Sequence, residues 1–170
     1  MQKSDLIPRA SERELMITRI FDLPRDLVWR AWTDPKHIQR WWGPKGFTSP
    51  ICINDFRVGG RYLYCMRSPE GQEFWTTGVY LEIAPMERIV HTDSFCDADG
   101  HVVPASTYGL SADFPLETLL TEIFEDLDGK TRFTLRQSGV PAGTDTDSAR
   151  QGWNEALDRI VEVINRGDLS

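Results

Sequence analysis

Apolar residues change their period along this chain, and the changes divide it into elements. Leu15, Ile17, Arg19 and Phe21 alternate with Met16, Thr18 and Ile20, a run rich in β-branched residues that predicts a strand starting near Glu14. Asp22 or its neighbour then caps a helix with Pro24 in its first turn, and Leu27, Val28, Ala31 and Trp32 recur on one helical face. Asp34-Pro35 repeats the start signal, His37, Ile38, Trp41 and Trp42 follow, and Gly43-Pro44 stops the segment. Two short consecutive helices are predicted.

From Phe47 onward the pattern reads as strands. The segments Phe47 to Arg57, Arg61 to Arg67, Phe74 to Ile83 and Ile89 to Phe95 are separated by Val58-Gly59-Gly60, Ser68-Pro69-Glu70-Gly71 and Ala84-Pro85-Met86-Glu87. Connections this short make neighbouring strands antiparallel. A long loop, Asp97 to Pro115, interrupts the spacing with Asp97-Ala98-Asp99-Gly100, Pro104, Gly109 and Pro115. Leu116 to Glu125 and Thr131 to Ser138 form another pair around Asp126-Leu127-Asp128-Gly129. From about Asp147 to Asn165, Trp153, Ala156, Leu157, Ile160 and Ile164 recur at helical spacing, and Gly167 ends the helix. The reading is α+β: a curved antiparallel sheet of about seven strands wrapped around one long C-terminal helix. Residues 1–13 read as a flexible lead-in and residues 14–170 as a single domain. A strongly curved sheet held against one helix is difficult to fill with side chains, so a ligand cavity is expected between them.

Composition narrows the function classes. The 170 residues carry 19 Lys+Arg against 26 Asp+Glu, a net charge of −7, and no basic stripe for phosphate contacts, so a nucleic-acid partner is not expected. No apolar stretch approaches the roughly 18–20 residues of a membrane span, and no secretory leader is visible, so a cytoplasmic protein without membrane insertion is expected. Cys52, Cys65 and Cys96 contain no CxxC and suit a reducing compartment. His37, His91 and His101 lack the spacing of a helical metal site, and no glycine-rich phosphate loop or GxSxG occurs. Neither a metal nor a cofactor is expected.

Two sets of residues carry the candidate chemistry. Tyr62, Tyr64 and Met66 alternate along one face of one strand, Tyr80 joins them from the next, and Trp153, Leu157 and Ile160 on the long helix form the opposing wall of the expected pocket. Glu82 and Asp93 lie on strands joined by a tight turn and approach each other across it; with His91 they are the candidate acids and bases. Tyr108 and Phe114 place the 97–115 loop either over the pocket mouth or out as a surface insertion.

A set of motifs stands in order along the chain: Thr18-Arg19-Ile20-Phe21, then Pro24 with Val28-Trp29 and Ala31-Trp32-Thr33-Asp34-Pro35, then Trp41-Trp42-Gly43-Pro44 with Gly46-Phe47. Gly59-Gly60-Arg61, Pro85 with Glu87-Arg88-Ile89, Thr131-Arg132-Phe133-Thr134-Leu135 and Gly152-Trp153 complete it. Together these resemble the bacterial homologues of the C-terminal domain of the heat-shock-protein ATPase activator. That family sits within the superfamily of START lipid-transfer proteins, birch-pollen-type allergens and polyketide cyclases. The resemblance implies the helix-grip fold, a cavity between sheet and long helix, and a small, largely apolar ligand. As alternatives it admits an enzyme of polyketide-cyclase type in the same cavity, since a minority of the superfamily catalyse there, or a chaperone or regulator interaction module with a place in the stress response, as a monomer or homodimer. The eukaryotic activators also carry a separate chaperone-contacting N-terminal domain, which residues 1–13 do not supply.

Overall fold

The computed structural model describes residues 14–141 and 144–167. The predicted lead-in over residues 1–13 lies outside them. Strand β1 (Glu14–Phe21) is followed by helices α1 (Arg25–Thr33) and α2 (Pro35–Trp41). Strands β2 (Thr48–Asn54), β3 (Arg61–Arg67), β4 (Glu73–Ala84) and β5 (Arg88–Cys96) come next, then a 3₁₀ turn at Ala105–Tyr108. Strands β6 (Thr118–Leu127) and β7 (Lys130–Ser138) and helix α3 (Thr144–Asn165) complete the order. The seven strands form one antiparallel sheet in the order β1-β7-β6-β5-β4-β3-β2. This is the helix-grip arrangement implied by the sequence.

Local chemistry explains the element boundaries. Pro24 itself occupies the N-cap of α1 in extended geometry with no side-chain cap bond, so Asp22 plays no capping role. Helix α2 does start as read: the Asp34 side chain accepts from the Lys36 N–H at 3.0 Å, with Pro35 pre-set in the first turn. Gly43 takes φ 101°, a conformation open to glycine at little cost, and turns the chain from α2 toward β2.

One face of the sheet is apolar and packs against the helices. Leu15, Ile17 and Phe21 of β1, Phe133 and Leu135 of β7, and Leu120 and Phe124 of β6 are buried on it. Helices α1 and α2 fill one part of the concave side. The Trp32 ring meets Phe133 at 4.7 Å between centroids and Trp41 at 4.8 Å, and Trp29 meets Phe124 at 5.1 Å. Trp41 satisfies its indole N–H on the Ala31 carbonyl at 2.8 Å. Leu157 and Ile160 of α3 are fully buried in this same core.

Polar contacts lock α3 in place around that packing. Arg159 donates to the carbonyls of Trp42, Gly43 and Pro44 at 3.0–3.2 Å and to the Arg40 carbonyl at 3.1 Å, tying α3 to the C-terminal end of α2 and the turn that follows it. Arg19 on β1 reaches Asp158 at 2.6 Å. Among the described residues no helix is long and apolar enough to cross a membrane.

Candidate functional site

Strand parity fixes which side chains face the concave side. On β3 these are Tyr62, Tyr64 and Met66; their partners Gly78, Thr76 and Phe74 on β4 share that face. On β5, His91 pairs with Tyr80, and the register places Asp93 opposite Gly78. Glu122 and Leu120 on β6 continue the face through their partners Ile89 and His91.

Gly78 makes the site possible. A Cβ there would stand 2.6 Å from the Tyr62 ring edge and hydroxyl and 2.0 Å from the Thr92 carbonyl. Its absence lets the Tyr62 ring cross β4 and reach β5, one strand further than a tyrosine on β3 would ordinarily interact. The hydroxyl donates to Asp93 Oδ1 at 2.6 Å and also lies 2.8 Å from the Thr92 carbonyl and 3.1 Å from His91 Nδ1. On the other side of the imidazole, His91 Nε2 lies 2.8 Å from Glu122 Oε2. Asp93, Tyr62, His91 and Glu122 therefore form one hydrogen-bonded chain.

The electrostatics of that chain follow from burial and pairing. Burial pulls the His91 pKa down, but the charge and hydrogen bond of Glu122, with Asp93 adding, outweigh it and raise His91 to about 9. As an imidazolium, His91 donates from Nε2 to Glu122 and from Nδ1 to the Thr92 carbonyl at 2.9 Å. Burial pushes Asp93 up to about 6, against the Tyr62 hydrogen bond and the His91 charge, which both lower it. Burial and the neighbouring Asp93 charge raise the Tyr62 phenol well above its ordinary value, so it remains a donor.

Two spaces adjoin this chain, divided by Trp42 and Trp153, which line both. The first is a void of about 20 Å³ among Tyr62, Tyr64, Tyr80, His91 and Glu122. That holds no more than one or two water-sized bodies. The second is a cleft of about 290 Å³ between β3–β5, the 97–115 segment and α3. Its walls include Met66, Phe74, Phe95, Phe114 and Trp153, with Asp93, Thr76 and Gln137 as polar groups.

The predicted pocket wall is thus displaced along the strands. Met66 and Trp153 line the cleft, whereas Tyr62, Tyr64 and Tyr80 surround the small void. Leu157 and Ile160 line neither: they are fully buried in the core cluster that also holds Trp32 and Trp41 of α1 and α2. Phe114 and Leu110 of the 97–115 loop do line the cleft, while Tyr108 packs on Phe74 and Phe95 and donates to the Cys96 carbonyl.

The acid and base candidates separate as well. His91 and Asp93 come together, but Glu82 does not join them. A register shift between Tyr80 and Glu82 moves the Glu82 side chain out of the alternation, and it lies exposed beside Arg88 at 3.3 Å. Glu122, which the sequence reading did not single out, joins His91 in place of Glu82. The signal was in the sequence: Thr118, Leu120, Glu122 and Phe124 share one parity, so a charge sits on an otherwise buried face. Burial raises the thiols of Cys52 and Cys96 to about 12 and of Cys65 to about 11, which leaves none of them a ready nucleophile. On the turn after β5, Asp97, Asp99 and His101 bring ligand atoms within 4.8 Å, but Asp97 is occupied by the backbone N–H groups of Asp99 and His101. Chemically, the arrangement offers one carboxyl that titrates near neutrality on the wall of an apolar cleft, backed by a chain that can move or hold a proton.

No curated protein matches the chain significantly. Solved structures do. A protein from Chromobacterium violaceum is 27% identical over 89% of this chain and 96% of its own, with a TM-score of 0.74. A protein from Nitrosomonas europaea is 23% identical, covering 94% of this chain and 99% of its own at a TM-score of 0.75. The AHSA1 protein from Silicibacter pomeroyi is 22% identical, covering 91% and 99% at 0.68, and at these lower identities the likeness is one of fold. The family described as Activator of Hsp90 ATPase homolog 1-like protein matches residues 22–165, and with that match spanning most of its length, this chain belongs to that family.

Proposed function

We propose that the protein binds a small, largely apolar molecule in the cleft between β3–β5 and α3. The observation that carries this reading is the lining: aromatic and thioether side chains around about 290 Å³, with few polar groups. That volume lies near the lower end of the roughly 300–1,000 Å³ typical of small-molecule sites. A ligand of modest size fits, and a full-length phospholipid does not. Native mass spectrometry of the protein after incubation with a metabolite extract of its own cell tests the reading. The wild type is expected to retain a small molecule, and Ala149→Trp, which fills the cleft from α3, is expected to lose it. A bare protein mass in the wild type, or the same retention in both, refutes it.

A second reading, acid–base catalysis of polyketide-cyclase type in the same cleft, is supported by the Asp93–Tyr62–His91–Glu122 chain. Asp93 is the group that would touch substrate. Asp93→Asn is then expected to abolish turnover while leaving binding in place; equal turnover removes this reading. The family description supports a chaperone contact, for which recovery of a stoichiometric chaperone from native lysate is the test.

A further inference from the structure

Taking the cleft as a ligand site, we propose that its ligand is an amphiphilic organic amine, whose protonated nitrogen donates to Asp93 while its apolar body lies among the aromatic walls. Charge balance carries the argument. Asp93 is the only charged residue lining the cleft among the described residues; no Lys or Arg reaches its wall. The groups behind it do not neutralise it. His91 and Glu122 are matched to each other at 2.8 Å, and wherever their shared proton rests, the pair sums to zero. The charge left over at the cleft is that of Asp93, and a carboxylate without a cation in apolar surroundings is costly.

The hydrogen-bonding capacity points the same way. Tyr62 occupies Asp93 Oδ1, and Oδ2 accepts nothing among the described residues. Thr76, only 9% exposed, lines the same cleft on the neighbouring strand, across from Phe95, and its Oγ1 has no partner. An N–H donor on the head group serves Oδ2, with the buried Thr76 Oγ1 beneath the cleft surface, whereas a fatty carboxylate would place a second anion beside Asp93. The walls are compatible with this preference: Trp42, Trp153, Phe74, Phe95 and Phe114 line the cleft, and aromatic rings pack an alkyl or aryl body and attract a cation placed over a face.

Calorimetric titration of the full chain at neutral pH with octylamine, octanol and octanoate, three ligands sharing one body, decides the matter. Octylamine is expected to bind roughly 10–100-fold more tightly than octanol, the ratio of a charge-assisted hydrogen bond, with octanoate weakest. In Asp93→Asn, whose amide oxygen can still accept from Tyr62, the preference for the amine should vanish while octanol binding persists. Octanol binding as tightly as octylamine, or octanoate binding best, overturns the amine and leaves the cleft reading standing. Failure of all three to bind overturns both. The ranking on the wild-type protein is sufficient even where the variant does not fold.

Discussion

Replacing Gly78 by alanine tests whether the crossing of Tyr62 over β4 organises the site. In a strand interior, glycine to alanine ordinarily stabilises by about 0.5–1 kcal/mol, because the unfolded chain loses freedom. Here the added Cβ would stand 2.0 Å from the Thr92 carbonyl and 2.6 Å from the Tyr62 ring and hydroxyl. One of these neighbours is backbone paired within the sheet, and the other is a fully enclosed ring. Overpacking of this kind costs about 1–3 kcal/mol. Displacing Tyr62 also breaks its hydrogen bond to Asp93, worth about 1.5–3 kcal/mol for a charged acceptor. The two costs together are roughly 2.5–6 kcal/mol, which outweighs the unfolded-state gain and makes the change destabilising, opposite in sign to the generic expectation. Urea unfolding followed by tryptophan fluorescence reads it. Gly152→Ala is the control: on helix α3 its Cβ meets only Pro44 Cγ at 3.6 Å, ordinary contact, and a gain of about 0.5–1 kcal/mol is expected. A Gly78→Ala protein as stable as wild type would refute the account of Tyr62, and so would a loss no greater than that of Tyr62→Phe.

Glu122→Gln leaves His91 buried without its counter-ion, so the imidazole pKa should fall from about 9 to below its ordinary 6.5, read by NMR titration of the ring; a value still near 9 would discard the pairing. Stability carries the same signature. The His91 pKa is higher folded than unfolded, so its contribution is complete below pH 6.5 and is lost as pH rises through about 9, an effect on the order of 3 kcal/mol. The wild-type advantage over Glu122→Gln in urea should therefore shrink across that window, and a constant difference would contradict it. Tyr62→Phe removes a hydrogen bond that holds the Asp93 pKa down, so the carboxyl should titrate above about 6 in carbon-detected NMR; a downward move would count against the assignment. Arg159→Ala removes a donor from four carbonyls at the end of α2 and in the turn after it, and is expected to cost about 2 kcal/mol in thermal or urea unfolding, whereas a change under about 0.5 kcal/mol would mean solvent replaces it fully.

Much of the fold was legible because the turns are local and chemically explicit. Asp34-Pro35 caps α2, the Gly59-Gly60 pair separates β2 from β3, and the parity of Tyr62, Tyr64 and Met66 on β3 is as the alternation reads. The site was only half legible, for two physical reasons. A single extra residue between Tyr80 and Glu82 reverses the parity of the rest of β4, and no composition signal marks it, so plain alternation sets Glu82 beside Asp93 on the wrong face. The place of the cavity along the sheet depends on how far α1 and α2 intrude. That is a matter of tertiary packing: Trp32 and Trp41 join Leu157 and Ile160 in one buried core, and the cleft opens instead beside Phe74, Phe95 and Phe114. Glu122 was readable from parity alone, since a carboxylate flanked at i±2 by leucine and phenylalanine on a buried face requires a partner.

The strand order has a consequence for how the chain is made. Strands β2 to β5 pair with sequence neighbours and can close as they leave the ribosome, but Glu14–Phe21 pairs only with Lys130–Ser138, at the far end of the sequence. Of the seven strands, the earliest in sequence has no partner until the last has been made. Until residues 131–138 emerge, Leu15, Ile17 and Phe21 have no sheet to bury them, and the nascent chain carries an apolar strand with open edges. Closure of that long-range pair sets the late step of folding, and substitutions along β1 should slow refolding less than they speed unfolding.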